Sequence, residues 1–403
     1  MPRSFALPTA AILMLCQFPS LHAEMLPGLP LKVDVRHVAN DKWRVDYRFT
    51  QPVTAITMPT VADYRQRAWK ILTPGMRLKA VGEQDVIAAT SGKPFMAASV
   101  EITTFDGFAP KDYASFTRFT DGGTAIYLGH LQGEARRGKQ KYEMQTDIKL
   151  TGLPKENVIA PPLNRQMPGG ARGYAYFGPA QAVSAGGTKI LMDPETPPWA
   201  RETVLDAGAK LSQYYETAYQ RALRDELLIM VAISGFEAPG LSMKGGAVMG
   251  QLSYRFEGKA LVGDHPKKRD YLARLVAHEM AHVWQMNIAR GGVGADEPWV
   301  HEGGAEAMAL DGLQQTGLFS EDKVQAYLAE KTATCEKLGH SVASYDGIYA
   351  CGLMRFDQLG VAIVPLWRSM MQATEVKGDV YSGAMIEALV REQGEKWRPG
   401  GAN

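Results

Sequence analysis

The chain has 403 residues, 45% of them hydrophobic, with 44 Lys and Arg against 43 Asp and Glu and a formal net charge of +1. That length predicts two domains or three, and the composition supplies apolar side chains enough for a core in each. The near-neutral balance, with no long basic run, argues against nucleic acid as a partner; Lys267-Lys268-Arg269 reads as a short solvated face.

The N-terminus reads as an export signal. Arg3 gives a weakly positive start, Phe5 to Cys16 form an apolar stretch too short to span a bilayer, and Leu21-His22-Ala23 offers a cleavage site. Residues 1–23 are therefore expected to be a signal peptide, and the mature protein to be exported, periplasmic or secreted. The bulk of Leu15 ahead of Cys16 disfavours a lipid anchor. No later apolar run is long enough for a membrane span in the mature chain. Loss of Cys16 leaves Cys335 and Cys351, and an oxidising compartment favours a disulfide between them.

Residues 24–195 are expected to form a β-rich N-terminal domain. Lys32 to Ala39 and Trp43 to Phe49 alternate apolar and polar side chains, and further strands are predicted near 95–104, 124–131 and 142–150. Gly and Pro punctuate them at Pro74-Gly75, Asp106-Gly107, Gly122-Gly123 and Pro161-Pro162. The pattern predicts an antiparallel, β-sandwich-like domain. Its His37 and His130 stand alone in sequence and read as hydrogen-bonded or exposed rather than functional.

The Pro-rich segment from Asp193 to Trp199 marks the boundary, and residues 196–403 make the second domain. Val204, Leu205, Leu211, Tyr215 and Tyr219 line one side of a helix, and Leu227 to Ser234 read as a buried strand. After a second strand region, Lys244 to Arg255, comes the sequence His278-Glu279-Met280-Ala281-His282. Leu272, Leu275, Val276, Val283 and Met286 recur around it at helical spacing, with Asp264 and Pro266 as a start signal and Arg290-Gly291-Gly292 as a stop. On a helix, His278 and His282 share one face and can grip a single Zn²⁺, with Glu279 beside the open position.

A third ligand is expected from the next helix, capped by Asp296 with Pro298 in its first turn. Gly303, Gly304, Ala305 and Ala307 are small enough for its backbone to approach the first helix and bring Glu302 to the metal. Glu306, one turn on, is placed to orient a ligand histidine. Further helices are expected from Ser320 toward Cys335, after Tyr349, and from Ser382 onward.

With Trp299-Val300-His301-Glu302-Gly303-Gly304 following the His-Glu-x-x-His helix, the chain resembles the gluzincin zinc peptidases, closest to their alanyl/glycyl aminopeptidase branch. The resemblance implies an α+β multidomain protein: an N-terminal β-domain, then a thermolysin-like, mostly helical zinc peptidase domain. It implies that Tyr349, in the setting Tyr349-Ala350-Cys351-Gly352, stabilises the oxyanion, with Tyr345 the alternative. It also implies that the strand ending in Tyr254-Arg255 pairs with the substrate backbone, so that Gly245, Gly246 and Ala247 contact substrate. The branch holds the substrate's free amino group with a glutamate of a Gly-x-Met-Glu-Asn motif. Ala247 stands at that position, and no carboxylate occurs from Lys244 to Arg255.

The expected activity is therefore that of an exported zinc metallopeptidase acting on a peptide or protein substrate, with aminopeptidase specificity in doubt. Two other readings remain: a zinc hydrolase of a non-peptide amide or ester, and an exported binding protein on a peptidase scaffold. The intact set of His278, Glu279, His282 and Glu302 weighs against a pure binder, which needs no base. Nothing in the sequence fixes the oligomeric state.

Overall fold

In the computed structural model of the protein, the residues described are 26–105, 107, 113–163, 172–223, 225–248, 250–288, 297–377 and 381–396. The expected leader, the Arg290-Gly291-Gly292 stop and Asp296 lie outside them. The N-terminal part comprises β1 (Gly28–Ala39), β2 (Lys42–Val53), β3 (Ala55–Pro59), α1 (Tyr64–Ala68), β4 (Trp69–Ile71), β5 (Met76–Val81), β6 (Gln84–Ala89), β7 (Phe95–Thr103), β8 (Phe116–Arg118), β9 (Thr124–Tyr127), β10 (Glu134–Arg137), β11 (Gln140–Thr151), β12 (Asn157–Ile159) and β13 (Tyr174–Gly178).

The alternation in the sequence sets which face is buried. Leu29, Leu31, Val33 and Val35 of β1 and Trp43, Val45, Tyr47 and Phe49 of β2 all point inward, with Val33 opposite Tyr47. The turn between them carries Asp41 at φ 58°, a left-handed conformation that Asp tolerates. Nine strands make one sheet in the order β4-β7-β2-β1-β11-β10-β3-β6-β5. The sheet is mixed rather than antiparallel throughout, because β1 and β11 run parallel. A strand that returns after a long excursion is free of the direction a hairpin imposes.

A second sheet, β12-β13-β9-β8, is buried on both faces. Phe116 and Phe177 pack on Trp43 of the large sheet, at ring-centroid distances of 5.5 and 6.0 Å. Tyr127, Tyr174 and Tyr176 face the other way, onto Leu191, Leu228, Met230 and Val248. Those last residues belong to a third sheet, β14-β15-β16-β18-β17, formed by β14 (Val183–Ala185), β15 (Thr188–Met192), β16 (Leu227–Ser234), β17 (Ser242–Val248) and β18 (Gln251–Glu257). Residue 195 falls between β15 and the following helix, and β15 pairs in parallel with β16 beyond it. β16 is apolar and buried along nearly its whole length, as a central strand covered on both faces should be.

The helices are α2 (Pro198–Tyr219), α3 (Pro266–Ile288), α4 (Pro298–Gln315), α5 (Glu321–Lys337), α6 (Tyr345–Asp357), α7 (Ile363–Lys377) and α8 (Gly383–Lys396). They form the C-terminal helical domain, in which α2 and α3 pack on the third sheet and the other helices pack against helices. No described helix is long and apolar enough to cross a membrane. α6 begins at Tyr345, a turn earlier than expected, because the Ser344 side chain caps it by accepting from Gly347 N. The unforeseen α7 supplies Trp367 to the core.

One of the small residues of α4 works on a different neighbour from the one expected. A Cβ on Gly303 would stand 2.4 Å from the carbonyl carbon of Gly352, so Gly303 lets α4 cross α6, not α3. Gly304 faces Trp367, Phe356 and Gln285. Gly303→Ala is expected to destabilise the protein by about 3 kcal/mol, the upper range for overpacking, since backbone must move to admit the methyl. Urea titration would measure it, and an unchanged midpoint would mean the crossing is loose. Cys335 on α5 and Cys351 on α6 are joined by a disulfide, their Cα atoms 4.9 Å apart. The closed loop contains both Tyr345 and Tyr349, and closure contributes on the order of 3 kcal/mol.

Candidate metal centre

α3 enters the core at Val276 and is buried on every side through Gln285, which is why its apolar stripe broadens there. His278, Glu279 and His282 thus lie 3%, 3% and 4% exposed. Buried polar groups need partners; those of the two histidines come from α4 and from α3 itself, that of Glu279 from β17.

His278, His282 and Glu302 form the metal-capable cluster among the described residues. The two Nε2 atoms are 3.0 Å apart, and Glu302 Oε2 lies 3.1 Å from one and 3.2 Å from the other. The tautomer of His282 is set from behind. Gln285 Nε2 donates to the His301 carbonyl at 3.1 Å, which turns Gln285 Oε1 toward His282 Nδ1 at 2.7 Å. A carbonyl only accepts, so His282 must carry its proton on Nδ1 and present a lone pair at Nε2. His278 Nδ1 lies 3.0 Å from Glu306 Oε1, a close contact rather than an aligned hydrogen bond. Glu306 is held in turn by Arg274 Nη1 at 2.8 Å and the Tyr327 hydroxyl at 2.9 Å.

The electrostatics follow from burial and this charge set. Burial alone would lower the His278 imidazole, but Glu306 and Glu302 raise it to about 10. Burial works against ionised Glu302 and Glu306 too, yet the histidines beside the first and Arg274 beside the second hold both below the usual carboxylate range. Burial raises Glu279, opposed by His278 and His282. His301, stacked on His282 with ring centroids 4.2 Å apart, is pushed down to about 3 by burial and the neighbouring His282, and is neutral. Its Nδ1 meets the Tyr381 hydroxyl at 2.8 Å.

Glu279 faces β17, the edge of its sheet. The Ala247 backbone N–H bonds to its carboxylate, and a Cβ on Gly245 would stand 3.4 Å from Glu279 Cγ. Gly246 and Ala247 lie under Tyr113 of the N-terminal part, whose hydroxyl donates to the Ala247 carbonyl at 3.3 Å. On the opposite side, the Tyr349 hydroxyl reaches Glu302, and burial with that carboxylate keeps it protonated far above the ordinary tyrosine range. Tyr345 stands behind it, ring centroids 5.0 Å apart and 42% exposed.

The site residues expected from the sequence are therefore brought together here, with the disulfide beside Tyr349. His37 and His130 are not: His37 pairs with Glu156 at 2.8 Å and stacks on Trp43, and His130 packs against Tyr64 and Tyr127. Sequence reasoning missed Arg274, Gln285, His301, Tyr327, Tyr381 and Tyr113. Arg274 and Gln285 had a signal, being four before His278 and three after His282 on the same helix. The tyrosines had none, since only tertiary packing brings them in.

No protein-family model and no curated protein matches the sequence. Solved structures do. An aminopeptidase N family protein from Idiomarina loihiensis matches with a TM-score of 0.64 at 11% identity, over 93% of this chain and 74% of that one. A two-domain M1 zinc metallopeptidase mutant bound to L-arginine gives 0.51 at 12% identity, over 92% and 90%. An M1 zinc metallopeptidase mutant from Deinococcus radiodurans gives 0.50 at 14%, over 92% and 91%. The shared property is the fold: a large N-terminal sheet domain followed by a C-terminal helical domain, the architecture of the M1 metallopeptidases.

Proposed function

We propose that the protein is an exported zinc metallopeptidase with a thermolysin-like catalytic domain, residues 196–403, behind a β-domain. The observation that carries the reading is the convergence of His278 Nε2, His282 Nε2 and Glu302 Oε2, at 3.0–3.2 Å from one another, beside Glu279. Donors around tetrahedral zinc at ordinary bond lengths stand about 3.3 Å apart, so the set fits that ion with its fourth position open. The disulfide supports an oxidising compartment.

His278, His282 and Glu302 would hold the zinc, with Gln285 and Glu306 orienting the two rings. Zinc in such a site supplies Lewis acidity, lowering the pKa of water at its open position toward about 7. Glu279 would act as the base, its carboxylate taking up a proton from the attacking water and delivering it to the leaving amine. Tyr349 donates its hydroxyl hydrogen to the oxyanion, and protonation is what that task requires. The outward N–H and C=O of Gly245 on β17 would pair with the extended substrate, which then passes over Gly246 and Ala247.

Zinc analysis and a peptide hydrolysis screen on purified protein test the reading; zinc without hydrolysis of any peptide, amide or ester would favour a binding protein instead. The missing carboxylate at Ala247 adds a second expectation. A buried carboxylate partner for an ammonium is worth several kcal/mol of discrimination, and a neutral site forgoes it. One peptide with a free and an acetylated N-terminus should be turned over at rates within about tenfold of each other. A large preference for the free amine would return the protein to the aminopeptidases.

A further inference from the structure

Around Tyr113 the contacts form a closed circuit. Gln251 of β18 clasps the backbone of Tyr174, accepting from its N–H at 2.6 Å and donating to its carbonyl at 2.9 Å. The Tyr174 hydroxyl donates to the Ala114 carbonyl at 2.9 Å, and Tyr113, next in the chain, stacks on Tyr127 with centroids 4.5 Å apart. From that position Tyr113 reaches Ala247. Along an edge strand the outward N–H and C=O groups belong to alternate residues. At Ala247 both are engaged, the N–H by Glu279 and the carbonyl by Tyr113. The next outward pair is that of Gly245. Among the described residues, no hydrogen bond engages the outward groups of Gly245 and Met243, whereas those of Ala247, directly beside Glu279, are both taken.

Resting on the peptidase reading above, we propose that Tyr113 is a specificity-determining residue that closes one end of the cleft, so that bonds are cut only near a chain terminus. The substrate runs freely along β17 on the Gly245 side. On the Tyr113 side a peptide advancing at 3.3–3.6 Å per residue meets the tyrosine within about two residues. The stop is steric and uncharged. It selects by length where a carboxylate would select by charge, and a small acetyl cap fits within it.

The test uses the zinc-loaded full chain and a library of defined peptides, with products read by mass spectrometry. Wild-type cleavage should fall within about two residues of one end. Tyr113→Ala should raise kcat/KM at interior bonds about tenfold relative to terminal ones. Tyr113→Leu, which keeps apolar bulk against Tyr127 but loses the reach to Ala247, should do the same if the alanine variant fails to fold. Tyr113→Phe retains the ring and should keep cleavage terminal. Interior cleavage by the wild type, or an unchanged terminal pattern in both truncations, overturns the stop and leaves the peptidase reading standing. No cleavage at any bond overturns both.

Discussion

Glu279→Gln is expected to keep its fold and its zinc and to lose turnover by about 10²- to 10⁴-fold. The side chain is 3% exposed, accepts from the Ala247 N–H, and lies against Gly245 of the strand proposed to carry the substrate. An amide of the same shape preserves those contacts but has no basic oxygen to take a proton. Burial already raises the Glu279 carboxyl, bringing it nearer the operating pH of a general base. Single-turnover assays on zinc-loaded protein measure the loss. A glutamine variant that works at the wild-type rate assigns the base elsewhere.

His278→Ala is expected to lose the metal. About one zinc per chain should accompany the purified wild type, and two remaining donors hold zinc poorly against a chelator. The same change leaves Glu302 and Glu306 buried without the imidazole they lie against and without the metal's charge, so the variant should also melt at lower temperature. Metal analysis before and after dialysis against chelator, with a thermal melt, reports both effects. Glu302→Ala is the matching test of the third donor: full zinc occupancy there would remove Glu302 from the ligand set.

The two histidines and Glu279 were legible because their geometry is local: a four-residue step on a helix is the same in any fold. Glu302 was legible through the small residues after it, although Gly303 turned out to serve the crossing with α6 and Gly304 to meet Trp367. The alternation in β1 and β2 likewise announced a sheet with one buried face. What pairs with what was not local. The parallel join of β1 to β11, the extra helix α7, and the tyrosines at 113, 327 and 381 depend on segments far apart in the chain. Sequence spacing carries no record of such meetings.

The clasp of Gln285 on the His301 carbonyl has a thermodynamic corollary. His301 adjoins Glu302, so the peptide group that carries the third donor also sets the proton on His282, the second. Docking of α4 and preparation of the α3 ligands are then one event, and an ion bound between them acts as a clamp on the helix pair. Linkage makes the effect reciprocal: an ion at a thousand times its dissociation constant would stabilise the native state by about 4 kcal/mol. Stripping that ion would loosen α4 against α3 before it disturbed the sheets, and amide exchange along α4 would register the change first.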